Sequence, residues 1–230
     1  MGSAAKLFLS GKINAASTVT SNGVIAGSGT FGGDVIVSSG TLAPGGVSLG
    51  GVVLDSIGAI TMQSLTLSGS ATTEMTITGS TSALYDQLIG SSTLNYGGTL
   101  ALTMTDNTTS YNNGTFFNLF TGFTGSPTGD LSAVTLDAVG TDFDGLTFQS
   151  FDSISLAGQQ FLYEKYGLVS GDWYSSFNSN QQALVFSQSS GTLTVVPEPS
   201  TCAIALAGLA YGGWQMMRRR RLRQPPTLAA

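Results

Sequence analysis

Side chains able to do chemistry are scarce in this sequence. Its 230 residues contain no histidine, which removes the usual general base, the usual metal ligand and any Ser-His-Asp arrangement together. Zinc sites built on Cys and His fail for the same reason, since Cys202 is the single cysteine. The closest pair of carboxylates is Asp142-x-Asp144-Gly145. Two carboxylates can cleave a glycosidic bond or open a calcium loop, but the remaining ligand ladder of a calcium loop is missing, so a turn is expected. No glycine-rich loop ends in Lys-Ser or Lys-Thr, which leaves no cradle for phosphate. The sequence therefore predicts no catalytic residue, no metal ligand and no cofactor. One group could bind without reacting: Trp173, Tyr174 and Phe177 could stack against sugar rings, with packing in a core or an end cap as the competing use.

The elements that would hold such groups are legible in composition and pattern. Charged residues make up 9% of the chain and hydrophobic ones 41%, which supports a core and argues against disorder of the highly charged kind. Short runs of alternating Val, Ile, Leu, Phe and Thr stand between Gly-Ser-Asn turns. They predict strands at 34–37, 64–67, 74–77, 99–104 and 116–120. A small motif recurs at irregular spacing: Gly29-Thr30-Phe31, Gly40-Thr41-Leu42, Gly98-Thr99-Leu100, Gly114-Thr115-Phe116 and Gly191-Thr192-Leu193. Each reads as a corner with glycine at positive φ, followed by an inward anchor. Pro44-Gly45 reads as a type II turn. Residues 156–166 read as a short helix. The aromatics of 156–183 read as a cap over the open end of a strand stack.

Charge is distributed unevenly. Residues 1–196 carry Lys6, Lys12 and Lys165 as their only cations, against twelve acids. Such a surface repels nucleic acid, so no nucleic-acid partner is expected. The other five cations are Arg218, Arg219, Arg220, Arg221 and Arg223. They follow an apolar run over 202–217, which as a helix spans about 24 Å against a hydrocarbon core of about 30 Å. This run predicts one weak transmembrane helix whose arginines reach for the interface, and the positive-inside rule holds them in the cytoplasm. Gly208 and Gly212 form a G-x-x-x-G, read as a small-residue helix or a close-packing face. Ahead of the run, Pro197 and Pro199 bracket Glu198 and stiffen an extended strap that a processing enzyme could grip.

Pro197-Glu198-Pro199, the short apolar span and the arginine cluster together resemble the PEP-CTERM sorting signal of Gram-negative exopolysaccharide-producing bacteria. The resemblance implies a sorting motif at Pro197, Glu198 and Pro199 and a membrane stop at Arg218, Arg219, Arg220 and Arg221. It further implies an exosortase-type membrane enzyme as partner, a transient inner-membrane anchor, and a final place at the cell surface or outside. It also implies a secretory signal peptide, whereas Met1–Leu9 offers one lysine and a broken apolar stretch below the about 7–15 residues required. A coding start upstream of Met1 is therefore expected.

Residues 23–104 resemble the autotransporter-associated β-strand repeats of bacterial surface proteins through Ser39-Gly40-Thr41-Leu42-Ala43-Pro44-Gly45, Tyr85-Asp86-Gln87-Leu88 and Gly97-Gly98-Thr99-Leu100. That likeness implies a right-handed β-helix or a related stack of strands. The expected chain is all-β, with a solenoid-like region over 1–120 and a β-rich part with an aromatic cap over 121–196. The sorting tail follows over 197–223, with a disordered end at 224–230. The function expected is that of an exported, non-enzymatic structural protein of the cell surface or extracellular matrix. The alternative is a carbohydrate-binding module for exopolysaccharide, with Trp173, Tyr174 and Phe177 as contacts.

Overall fold

A computed structural model describes residues 5–14, 18–46, 48–49, 52–53, 57–105 and 111–198. Chain contacts divide it into Met1–Val196 and Pro197–Ala230.

The body is mostly β and solenoid-like. Its first sheet stacks Lys6–Leu9, Val24–Gly27, Thr41–Pro44, Thr72–Ile77, Thr99–Met104 and Ala133–Asp137 in that order, every registered pair parallel. A second sheet stacks Lys12–Ile13, Gly29–Phe31, Ala59–Thr61, Gln87–Ile89 and Phe120–Thr121. A third stacks Val19–Ser21, Val35–Val37, Leu65–Leu67, Leu94–Tyr96 and Thr128–Gly129. The chain visits the three sheets in a fixed order, then climbs to the next level. Each strand is thus paired with its counterpart one coil earlier, which is how parallel strands satisfy their backbone groups without hairpins.

Alternation in each strand sends every second side chain inward. In the first sheet Ile25 stacks on Leu42, Leu42 on Thr73, Thr73 on Leu100 and Leu100 on Val134, all buried. In the third, Val19, Val35, Leu65 and Leu94 form a second inward column, while Thr20, Ile36, Thr66, Asn95 and Thr128 form a column on the outer face. Burying each large aliphatic contributes about 1.5–3 kcal/mol, so the columns rather than surface charge stabilise the coil.

Long connections leave from one corner only. The first sheet passes to the second by short turns at Leu9–Lys12 and Gly27–Gly29, but by long excursions after Pro44, Ile77 and Met104. The first excursion contains a small antiparallel hairpin, Ser48–Leu49 with Val52–Val53. Asp86 anchors this corner: it is 1% exposed and accepts from Gly58 N at 2.8 Å and Thr76 N at 2.7 Å.

The coil does not stop at residue 120. It continues through Thr128–Gly129 and Ala133–Asp137 before a different sheet begins. That sheet orders Phe116–Asn118, Thr192–Pro197, Gln182–Ser187, Trp173–Ser175 and Phe148–Ser150, and its registered pairs are antiparallel. The stretch 116–120 is therefore not one strand. Phe116–Asn118 joins the antiparallel sheet, and Phe120–Thr121 returns to the coil. The expected helix forms over Leu156–Tyr166 (α1), with Ser155 Oγ accepting from Gly158 N and Gly167 closing it at φ 70°.

The coil's end is covered chiefly by the inner face of this sheet. Phe117, Leu184, Phe186, Leu193 and Val195, with Phe143 from the 141–145 turn, share one core with the coil interior. Phe186 meets Tyr96 edge-on at 6.3 Å, and Tyr111 meets Phe117 at 5.5 Å. The aromatics of 156–183 fall mostly elsewhere: Tyr166 and Tyr174 pack on an outer cluster of Phe151, Leu162, Leu168 and Val185. The strand Gln182–Ser187 is buried on both faces, hence its unbroken Ala-Leu-Val-Phe run.

The recurring Gly-Thr motif turns out to begin strands in different sheets, and its glycines serve two needs. Gly98 has the expected positive φ of 67°; Gly40 does not, and is required because an added Cβ would strike the carbonyl of Gly23 in the coil beneath.

Thr73 is the exception in its column. Its Oγ1 is buried without a hydrogen-bond partner, although an isosteric methyl would pack equally well between Leu42 and Leu100. Thr73→Val is expected to raise stability by about 1 kcal/mol, read by denaturant unfolding; a loss of stability would show that the hydroxyl is satisfied.

Candidate functional site

Two surfaces gather the residues worth testing. The first lies on the outside of the antiparallel sheet, where α1 crosses it. Strand alternation separates neighbours here. Trp173 turns toward the main core and is half-buried, whereas Tyr174 turns outward to the cluster beneath α1. The three aromatics named from sequence are therefore split: Tyr174 and Phe177 line one open groove, and Trp173 does not.

That groove holds about 440 Å³ and is walled by Ile154, Gly158, Phe161 and Leu162 on one side and by Tyr174 and Phe177 on the other. Phe161 is 39% exposed and Phe177 38% exposed, so ring faces are available to solvent. Tyr174 Oη donates to Gln149 Oε1 at 3.1 Å. Burial raises the Tyr174 phenol above its ordinary value and keeps it a donor. Gly158 matters by what it lacks, because a side chain on this turn of the helix would narrow the groove. Phe161 and Gly158 were not marked by sequence as contacts. The available signal was their three-residue spacing, which puts them on one side of the helix.

The second is a knot of carboxylates under the 167–171 turn. Asp172 is 3% exposed and accepts from Val169 N at 3.0 Å and Gln188 N at 3.2 Å. Asp152 Oδ2 accepts from Ser170 Oγ at 3.1 Å and Gly171 N at 2.9 Å. Desolvation raises the Asp172 carboxyl above the usual aspartate range, against the pull of its N–H donors, and the nearby Asp152 charge adds to the rise. Each carboxylate is spent on hydrogen-bond donors of its surroundings, and its work is to fasten the 167–171 turn to the sheet. Among the described residues no group of three acids or thiols is arranged to hold a metal ion.

Asp142-x-Asp144-Gly145 is a turn. Asp144 Oδ2 accepts from Gly140 N at 3.5 Å, Thr141 Oγ1 from Phe143 N at 3.1 Å, and the result is to drive Phe143 into the core. Asn113 Oδ1 accepts from Gln182 Nε2 at 3.2 Å. In the tail, Pro197 is exposed at the end of the strand Thr192–Pro197, and Glu198 follows it half-buried. Pro199, the apolar run 202–217 and Arg218–Arg221 lie outside the described residues, as do 224–230. Among the described residues no helix is long and apolar enough to cross a membrane. No family model, curated protein or solved structure matches the chain.

The raised Asp172 value fixes the sign of a pH effect. A carboxyl whose folded value exceeds its unfolded one favours the folded state below the unfolded value, and that advantage is lost as pH rises through the folded value. The stability of the native protein relative to Asp172→Asn should therefore fall as pH climbs from the ordinary aspartate range through the raised value. Denaturant melts across that window check it, and a difference that grows with pH would reverse the assignment.

Proposed function

We propose that this chain is an exported, non-catalytic structural protein of the cell surface or extracellular matrix of a Gram-negative bacterium, sorted by its C-terminal tail. Pro197-Glu198-Pro199 is the grip for an exosortase-type membrane enzyme. Residues 202–217 enter the inner membrane as a short helix, and Arg218–Arg221 stay in the cytosol. The coil is a right-handed β-helix, the hand that parallel β-crossover-β connections take in nearly all cases. What carries this reading is the order of the tail, which begins where the last strand of the body ends with Pro197 exposed. A histidine-free body held together by backbone ladders and apolar columns fits a scaffold better than a catalyst.

The experiment follows the full chain in an exosortase-bearing host. The wild type is expected to be cut near the prolines and recovered outside the inner membrane. Pro197→Ala combined with Pro199→Ala should accumulate as an uncut membrane-bound form. Recovery of uncut wild type from the soluble cytosol would end this reading.

A second reading, a carbohydrate-binding surface module, is favoured by one observation: Phe161, Tyr174 and Phe177 share a groove, with Phe161 and Phe177 exposed. Aromatic rings present the apolar face that a sugar's C–H groups need. Phe177→Ala should weaken retention of the full chain on exopolysaccharide about fivefold, from a stacking contribution of about 1 kcal/mol, with the melting temperature little changed. Equal retention of wild type and variant would remove the groove from this role.

A further inference from the structure

A separate pair of pockets lies where the last coil meets the antiparallel sheet. The turn Gln188–Gly191 reaches over the coil strands Leu94–Tyr96, Phe120–Thr121 and Thr128–Gly129. It is held by hydrogen bonds from the coil backbone: Leu119 N and Phe120 N both donate to Gly191 O at 3.0 Å, and Leu131 N donates to the side-chain Gln188 Oε1 at 2.7 Å. These bonds fasten the turn without filling the seam. Two pockets of about 190 and 170 Å³ remain, adjoining at Pro127 and Ser189. The first is lined by Asn118, Thr121, Phe123 and Ser190 among others, the second by Tyr96, Ser126, Asp130, Ser170 and Gln188.

Tyr96 is the informative residue. It is 3% exposed, and its Oη is buried without a hydrogen-bond partner in the protein. The ring cannot easily swing away, because Phe120 and Phe186 brace it edge-on at 5.2 and 6.3 Å. An unpartnered buried hydroxyl costs about 1–3 kcal/mol, a cost that a ligand oxygen in the adjoining pocket would remove. Burial also holds the phenol far above its ordinary value, so it stays protonated and keeps a proton to donate.

The walls select the ligand's chemistry. No lysine or arginine lines either pocket, and Asp130 contributes negative charge, so phosphate, sulfate and uronate find no counter-charge. A bare cation wants several oxygens with charge among them, and Asp130 is the single carboxylate lining either pocket. A hydroxyl both donates and accepts. The seam offers a donor at Tyr96, a carboxylate acceptor at Asp130 that is bridged by Gln188 Nε2 at 3.3 Å, and hydroxyls at Ser126, Thr121 and Ser190. The Phe123 ring adds an apolar face. Both pockets together reach the lower end of the range for small-molecule sites, roughly 300–1,000 Å³.

We propose that this seam binds a neutral, hydroxyl-rich saccharide unit, with Tyr96 Oη donating to one ligand hydroxyl and Asp130 accepting from another. The site is distinct from the aromatic groove and independent of how the chain is exported.

Calorimetric titration of the full chain with maltotriose, cellotriose and mannotriose tests it. Saturable binding of at least one is expected, weakened about tenfold by Tyr96→Phe and by Asp130→Asn, the loss of one well-made hydrogen bond. Tyr96→Phe should at the same time raise the melting temperature of the unliganded protein, since it deletes the unpartnered hydroxyl. This pairing of weaker binding with higher stability is not what a damaged fold would give. Absence of binding by all three sugars overturns the proposal. So does binding that survives Tyr96→Phe but is lost in Phe177→Ala, which would assign it to the groove. Binding of calcium chloride alone, abolished by Asp130→Asn, would make the seam a cation site and equally overturn it.

Discussion

Parallel backbone pairing between successive coils is the constraint on which the rest of this protein depends. The strand Thr72–Ile77 pairs along its whole length with Thr99–Met104 and through Thr72 and Thr73 with Thr41–Pro44, so most of its ladder is made with chain remote in sequence. Because the ladder does that work, the surface can be built from threonine, serine and glycine with very few charges. The same ladder dictates side-chain columns: whatever occupies an inward position is held between the equivalent residues above and below. Thr73 shows how strict this is, since even a hydroxyl is held in a slot suited to a methyl.

A stack of this kind has ends, and an end exposes both apolar side chains and unpaired strand edges. At the C-terminal side the problem is met by a sheet of the other type. Phe116–Asn118, set between two coil strands in sequence, pairs with Thr192–Pro197 and so joins the antiparallel sheet to the coil. The inner face of that sheet then completes the core, and its outer face needs cover of its own, which α1 supplies. The aromatic groove and the seam pockets both arise from this junction. One is left where a helix with Gly158 crosses a sheet, the other where a hairpin turn bridges coil strands without filling the gap between them.

The carboxylates follow the same logic. Asp86 and Asp172, both almost fully buried, accept from backbone N–H groups at a corner and at a turn. Such residues look chemically interesting in a sequence poor in charge. Their surroundings show them satisfying donors that the irregular excursions leave outside the ladder.

The sequence by itself determined what is local. The strand Thr99–Met104 follows from its alternation, α1 from the Ser155 cap and the Gly167 stop, and the Asp142–Gly145 turn from its composition, because each depends on residues a few positions apart. It also bounded the chemistry by lacking histidine. Only the tertiary structure decided which strands stack, since the interval between paired residues nearly doubles from Lys6–Val24 to Thr99–Ala133 as excursions lengthen at one corner. No fixed period survives that. It likewise decided that Trp173 and Tyr174 point to opposite faces of a sheet covered on both sides, and that Tyr96, Asp130 and Gln188 line one pocket. Those outcomes depend on which segments pair across long stretches of chain, and residue type and near-neighbour spacing carry no record of it.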